Sequence, residues 1–168
     1  QLSRQTGKLE PRLILKIAAQ MSNILLYLRR QSESAVSSLI VHGDIKPSNI
    51  MFDPDTETVA LIDWGAAVFA QCDAQHQRID GFGLDAINSD FGKTNAKLGD
   101  VYFIGDDQLQ AELSSPRFDE QGLAGTLYAL SSGQGGRFGK HVITPESLGL
   151  PIEFAKTLSG MLDEDSDV

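Results

Sequence analysis

Residues 41–53 read VHGDIKPSNIMFD, placing His42, Asp44, Lys46 and Asn49 within eight positions before an apolar run. Gly43 and Pro47 mark the polar part as a loop, and Ile50, Met51 and Phe52 mark the apolar part as a strand. A solvated turn explains the polarity of such a stretch but not its particular side chains. Ten residues after Asp53 stands Asp63, in LIDWGAA (61–67), at the end of a second apolar run and ahead of Gly65. An acid at a strand end, aimed out of a core, is well placed to hold a metal ion.

Outward from this cluster the chain alternates helix and loop. LEPRLILKIAAQMSNILLYLRR (9–30) reads as a long helix. Pro11 suits a first helical position, and Ile14, Ile17, Met21, Ile24 and Leu28 recur at steps of three and four. Arg29 and Arg30 complement the negative end of the helix dipole. NIMFD (49–53) and TVALID (58–63), separated by the turn-rich PDTE, predict a hairpin. Residues 66–100 are rich in Gly, Asp and Asn without periodicity and read as one long loop, which a compact domain keeps when it is functional. FDEQGLAGTLYALSS (118–132) is helical again, with Asp119 placed as its N-cap and Leu123, Leu127 and Leu130 on one face. A Gly-rich connection (131–150) leads to LPIEFAKTLSGMLDED (150–165), a last helix that turns Phe154, Leu158, Met161 and Leu162 inward. No internal repeat occurs. The fold class expected is mainly α with a small β-hairpin, an α+β arrangement.

Composition bounds the rest. A chain of 168 residues that is 41% apolar buries one core, and 22% charged residues argue against disorder. The net charge of −9 disfavours nucleic acid and anionic membranes as partners. The single cysteine forms no internal disulfide, no apolar run reaches membrane-spanning length and no signal peptide opens the chain, so a cytoplasmic setting is expected.

Asp44, Lys46, Asn49 and Asp63 supply the parts that phosphoryl transfer asks for. Asp44 can orient the attacking hydroxyl and accept its proton, Lys46 can offset charge on the moving group, and Asn49 with Asp63 can offer oxygen ligands for Mg²⁺ on the phosphates. At these residues the sequence resembles the eukaryotic-type protein kinase family: HGDIKPSN (42–49) is similar to its catalytic loop and DWG (63–65) to its metal-binding Asp-Phe-Gly element. GDVYFIGDDQL (99–109) resembles the end of an activation segment, here 66–109, with Gly105, Asp106 and Asp107 where Ala-Pro-Glu usually stand. DEQGLAGTLYALSSG (119–133) is similar to the central buried helix of the lower lobe, which implies that Asp119 clamps the catalytic-loop backbone. The likeness reaches nearly the whole of 1–168.

The resemblance implies a Ser/Thr protein kinase that uses ATP and Mg²⁺, with Asp44 and Lys46 catalytic, Lys46, Asn49 and Asp63 at the nucleotide, and Asn49 and Asp63 on the metal. It departs at Gly43, which replaces the catalytic-loop Arg, and at Asp100, where a Thr is usual. Nothing resembles the upper lobe: there is no Gly-rich loop over the phosphates and no Val-Ala-Ile-Lys strand. The chain, which starts without Met, is therefore read as a lower lobe cut from a longer protein, inactive by itself and dependent on an N-lobe in cis. Two other readings stand beside it. Aminoglycoside-type phosphotransferases share HGD and IDWG, but resemble HGDLHPGN, with His where Lys46 stands. A pseudokinase scaffold would keep relic motifs, and retention of all four residues argues against it.

Blander readings apply elsewhere. His42 is read as structural. SSGQGGRFGK (131–140) is a connector, because Gly133 and Gly139 are one residue too far apart for a phosphate loop. Cys72 and His76 are two ligands at most, which make no zinc site.

Overall fold

The structure, a computed structural model, describes residues 7–30, 39–72, 77, 103, 113–134 and 143–162. Helix α1 spans Pro11–Arg30 and starts on the expected proline. Its apolar stripe is buried as the periodicity predicts: Ile14, Ile17 and Met21 are fully enclosed, Leu25 and Leu28 continue the stripe, and Ile24 packs at its edge.

Strands β1 (Ile40–Val41), β2 (Ile50–Asp53), β3 (Thr58–Leu61) and β4 (Val68–Phe69) come next in the chain. β2 and β3 form the expected antiparallel hairpin, with Ile50 opposite Leu61 and Asp53 opposite Thr58. Asp53 closes its turn by accepting from Asp55 N at 2.9 Å and Thr56 Oγ1 at 2.7 Å. Glu57, at φ 51°, presents its carboxylate to Arg12 and Lys16 of α1, while Gln20 one turn further reaches the same backbone. Gln20 Nε2 donates to Glu57 O at 2.9 Å and its Oε1 accepts from Val59 N at 3.0 Å. The hairpin is thus strapped along one face of α1.

A second ribbon corrects the expectation of a single hairpin. β1 pairs antiparallel with β4, Val41 opposite Val68. Two-residue strands carry too little pattern to be read from sequence, yet this pairing brings the start of the 41–53 stretch beside the residues just beyond Asp63. Only a small part of the loop expected at 66–100 lies within the described residues, and that part contains β4.

Helix α2 (Arg117–Ser132) is central: it packs against α1 and against α3 (Ile152–Leu162). Twelve of its residues are buried, so burial is not confined to the Leu123, Leu127 and Leu130 face. Its C-terminus ends on Gly133, left-handed at φ 73°, whose N–H donates to Ala129 O at 2.9 Å, while Leu9 N donates to Leu130 O at 2.8 Å. Asp119 is not the N-cap. Pro116 holds that position and Asp119 lies in the first turn, where its carboxylate finds donors in another segment and not in its own helix. In α3, Leu158 and Leu162 are buried, and Phe154 and Met161 pack against the same core. Residues Gly105–Asp107, Asp100 and His76 lie outside the described residues. Among the described residues no helix is long and apolar enough to cross a membrane.

Candidate active site

The loop 42–46 leaves β1 without regular structure, with Gly43 left-handed at φ 78°, and Pro47 starts a 3₁₀ turn, Pro47–Asn49, closed by Asn49 N donating to Lys46 O at 3.0 Å. That turn folds Asn49 back on the loop, where its Nδ2 donates both to Asp44 O at 2.8 Å and to Asp44 Oδ2 at 2.9 Å. Lys46 Nζ lies 2.9 Å from the same Oδ2. Asp44 is therefore oriented by an amide and a cation. Its side chain remains 13% exposed and that of Lys46 22%, sheltered but within reach of a ligand. Asn49 itself is buried, and with its amide nitrogen committed to Asp44 its Oδ1 is the atom left to meet a cation.

Asp63 arrives from the other side. Ile62 N donates to Asn49 O at 2.9 Å, so Asn49 and Asp63 share the open end of the hairpin. Asp63 adopts a left-handed φ of 62°, uncommon for a residue with a side chain, and leads into the 3₁₀ turn Trp64–Ala66. His42 joins the two segments. Its Nδ1 accepts from Asp44 N at 3.3 Å and its Nε2 donates to Ile62 O at 3.1 Å, which requires the neutral ring with the proton on Nε2. Burial holds its pKa below the usual histidine value, against the opposing pull of the Ile62 carbonyl and of Asp44 and Asp63. Trp64 rests edge-on against His42, centroids 4.8 Å apart, with its Nε1 donating to Leu61 O at 3.3 Å. His42 is buried and bonded to backbone on both ring nitrogens, as expected of a core histidine.

Asp119 holds the loop from below. Its Oδ2 accepts from His42 N and its Oδ1 from Gly43 N, each at 2.8 Å. These are the backbone groups immediately before Asp44. Burial pushes the Asp119 carboxyl up to about 6, offset in part by those two N–H donors and by Arg29, which pairs with the neighbouring Glu120.

The structure thus brings Asp44, Lys46 and Asn49 into direct contact and sets Asp63 at the adjoining strand end. Among the described residues no cluster of three or more His, Cys, Asp or Glu side chains is built to hold a metal ion alone. One carboxylate and one amide oxygen suit instead a Mg²⁺ that arrives with phosphates and keeps part of its water shell. Cys72 is buried, its Sγ donating to Ser114 O at 3.3 Å. Gly122 of α2, which the sequence reading did not single out, lies against the loop: a Cβ built on it would stand 2.9 Å from Ile45 O.

Known proteins match this chain over the same residues. Residues 2–71 match the model of a phosphotransferase enzyme family, APH, across both HGDIKPSN and IDWG. Over 158 residues the chain is 26% identical to the serine/threonine-protein kinase ppk25 of Schizosaccharomyces pombe, covering 94% of this chain and 30% of that protein. The PK-1 kinase of the Cydia pomonella granulovirus superposes with a TM-score of 0.66 at 14% identity, covering 98% of this chain and 59% of that one. The fold, helices with small antiparallel sheets, is protein-kinase-like. The chain spans less than a third of the curated relative and somewhat over half of the viral kinase.

Proposed function

We propose that this chain is the catalytic lobe of a protein kinase that transfers the γ-phosphoryl group of ATP to a Ser or Thr hydroxyl of a protein substrate. The observation that carries the reading is the double grip on Asp44 Oδ2 by Lys46 and Asn49, with Asp63 on the adjoining strand end. In the step proposed, the substrate hydroxyl oxygen bonds to the γ-phosphorus as the bond to the ADP oxygen breaks, and ADP leaves with that electron pair. Asp44 orients the hydroxyl and takes its proton, and Lys46 offsets negative charge on the transferring group. Asn49 Oδ1 and Asp63 would hold Mg²⁺, which when bound neutralises phosphate charge and orients the chain of phosphates. His42 and Asp119 keep the loop in register and touch no reactant.

The protein-substrate reading draws support from the likeness to the fission-yeast kinase along 94% of the chain and from Lys46 in place of the His of aminoglycoside-type enzymes. A small-molecule hydroxyl is the second reading, favoured by the phosphotransferase family match over the segment that holds every candidate residue. Because no upper-lobe motif occurs in the sequence, the isolated chain lacks half of such a nucleotide pocket and should transfer no phosphate alone. Calorimetry on the intact protein tests the nucleotide site. Asp63→Asn removes a formal charge from the proposed ligand set, so Mg²⁺-dependent ATP affinity should fall while metal-free binding changes little. Equal affinity for Mg·ATP in wild type and variant would remove Asp63 from the site.

A further inference from the structure

We infer that Gly122 is a positioning residue: by carrying no side chain it lets the loop that holds Asp44 and Lys46 lie directly on α2, a placement that serves the phosphoryl transfer proposed above. Asp119, Gly122 and Thr126 fall on one stripe of α2, at intervals of three and four residues. Each touches the loop at a different point. Asp119 takes the amides of His42 and Gly43, before Asp44. Gly122 faces the carbonyl of Ile45, after Asp44: a Cβ built on Gly122 would stand 2.9 Å from Ile45 O and 3.1 Å from Ile45 Cβ. Thr126 Oγ1 lies 3.5 Å from that same carbonyl, at the outer limit of a hydrogen bond.

The atom that a larger residue would strike is backbone, so it cannot swing aside as a side-chain tip would. Ile45 is itself buried, and Asp44 and Lys46 flank it in the chain. Any outward shift of its carbonyl therefore displaces both groups relative to Asp63, which hangs from the hairpin and not from α2. Glycine costs helix stability in such an interior position, and nothing in the backbone of α2 requires it there. Close approach to the loop is the reason for it.

The test uses the intact protein with Gly122→Ala, and with Gly160→Ala as a control, because a Cβ at Gly160 of α3 meets nothing within 4 Å. Three readouts are followed: amide exchange at His42 and Gly43, emission of Trp64 taken as the part lost in a Trp64→Phe background, and turnover of Mg·ATP. In Gly122→Ala the two amides should exchange about tenfold faster or more while the core of α1 stays protected, Trp64 emission should change, and kcat should fall about 10–100-fold at constant KM for Mg·ATP. Gly160→Ala should leave all three as in wild type. Wild-type exchange and emission in a folded Gly122→Ala protein overturns the inference, as does an acceleration spread evenly over the whole molecule. Should that variant not fold, Thr126→Val keeps the shape and removes the donor to Ile45 O; a smaller acceleration confined to the same amides supports the seating, and none refutes it. An intact wild type that turns over no ATP removes the phosphoryl-transfer reading, while the exchange measurements still decide the role of Gly122.

Discussion

Replacing Asp119 by Asn isolates what a buried carboxylate does beneath the candidate loop. Asn keeps one oxygen to accept from one of the His42 and Gly43 amides but turns an NH₂ group toward the other, leaving a buried donor unpaired at a cost of about 1–3 kcal/mol. Against this, the variant removes a charge whose burial raises the carboxyl from 3.8 to about 6. Each pKa unit is worth about 1.4 kcal/mol, so ionising Asp119 costs the fold about 3 kcal/mol. The sign comes from the raised value: between pH 3.8 and about 6 the folded protein binds a proton that the unfolded chain does not. The stability this group confers is full below the unfolded value and is lost as pH rises through the folded one. Wild type should therefore be the more stable protein at acid pH, and the variant should equal or exceed it at neutral pH. Urea denaturation of both proteins at several pH values reads the difference, in which other titrating groups cancel. That difference should move by about 2 kcal/mol against wild type between about pH 4.5 and 7.5. A difference that stays constant over this range would refute the burial argument and leave Asp119 an ordinary acid.

Gln20→Ala removes the two hydrogen bonds that this side chain makes to the hairpin, and a loss of about 1–3 kcal/mol is expected in urea denaturation; an unchanged midpoint would show the Gln20 strap to be idle. Leu158→Ala empties a site that is 1% exposed in the core shared by α1, α2 and α3, and should cost about 2–5 kcal/mol in the same assay. Nitrogen NMR of the ring should find His42 neutral and protonated on Nε2 at pH 6.5, where a free histidine is half charged; a proton on Nδ1 would contradict the contacts to Asp44 and Ile62.

Much of this fold was legible because its periodic signals are long. The stripe of α1 runs from Ile14 to Leu28, and PDTE separates the two strands of the hairpin, so both appear where their patterns placed them. The β1–β4 ribbon was not legible, since two-residue strands have no period and their pairing is set by tertiary context. Asp119 shows the limit of local rules. An acid near a helix start reads as a cap, but its carboxylate serves a loop 76 residues away along the chain, and the clamp came from family likeness alone. Asp44, Lys46 and Asn49 could be singled out because chemistry crowds them into one loop. That Asn49 and Lys46 both grip one oxygen of Asp44 is a matter of a 3₁₀ turn, which no spacing rule foretold.

Transfer of labelled γ-phosphate by the intact protein tests the central claim most directly. Wild type and Asp44→Asn are incubated with Mg·ATP and two acceptor panels, one of Ser/Thr-containing proteins and one of small polyhydroxylated amines. The expected result is label on protein Ser or Thr with wild type, none on the small molecules, and a loss of about 100-fold or more in rate for Asp44→Asn while Mg·ATP binding persists. Label confined to the small molecules would replace protein by a small hydroxyl substrate. Undiminished transfer by Asp44→Asn, or none by a wild type that binds no Mg·ATP, would contradict the assignment of these residues to phosphoryl transfer.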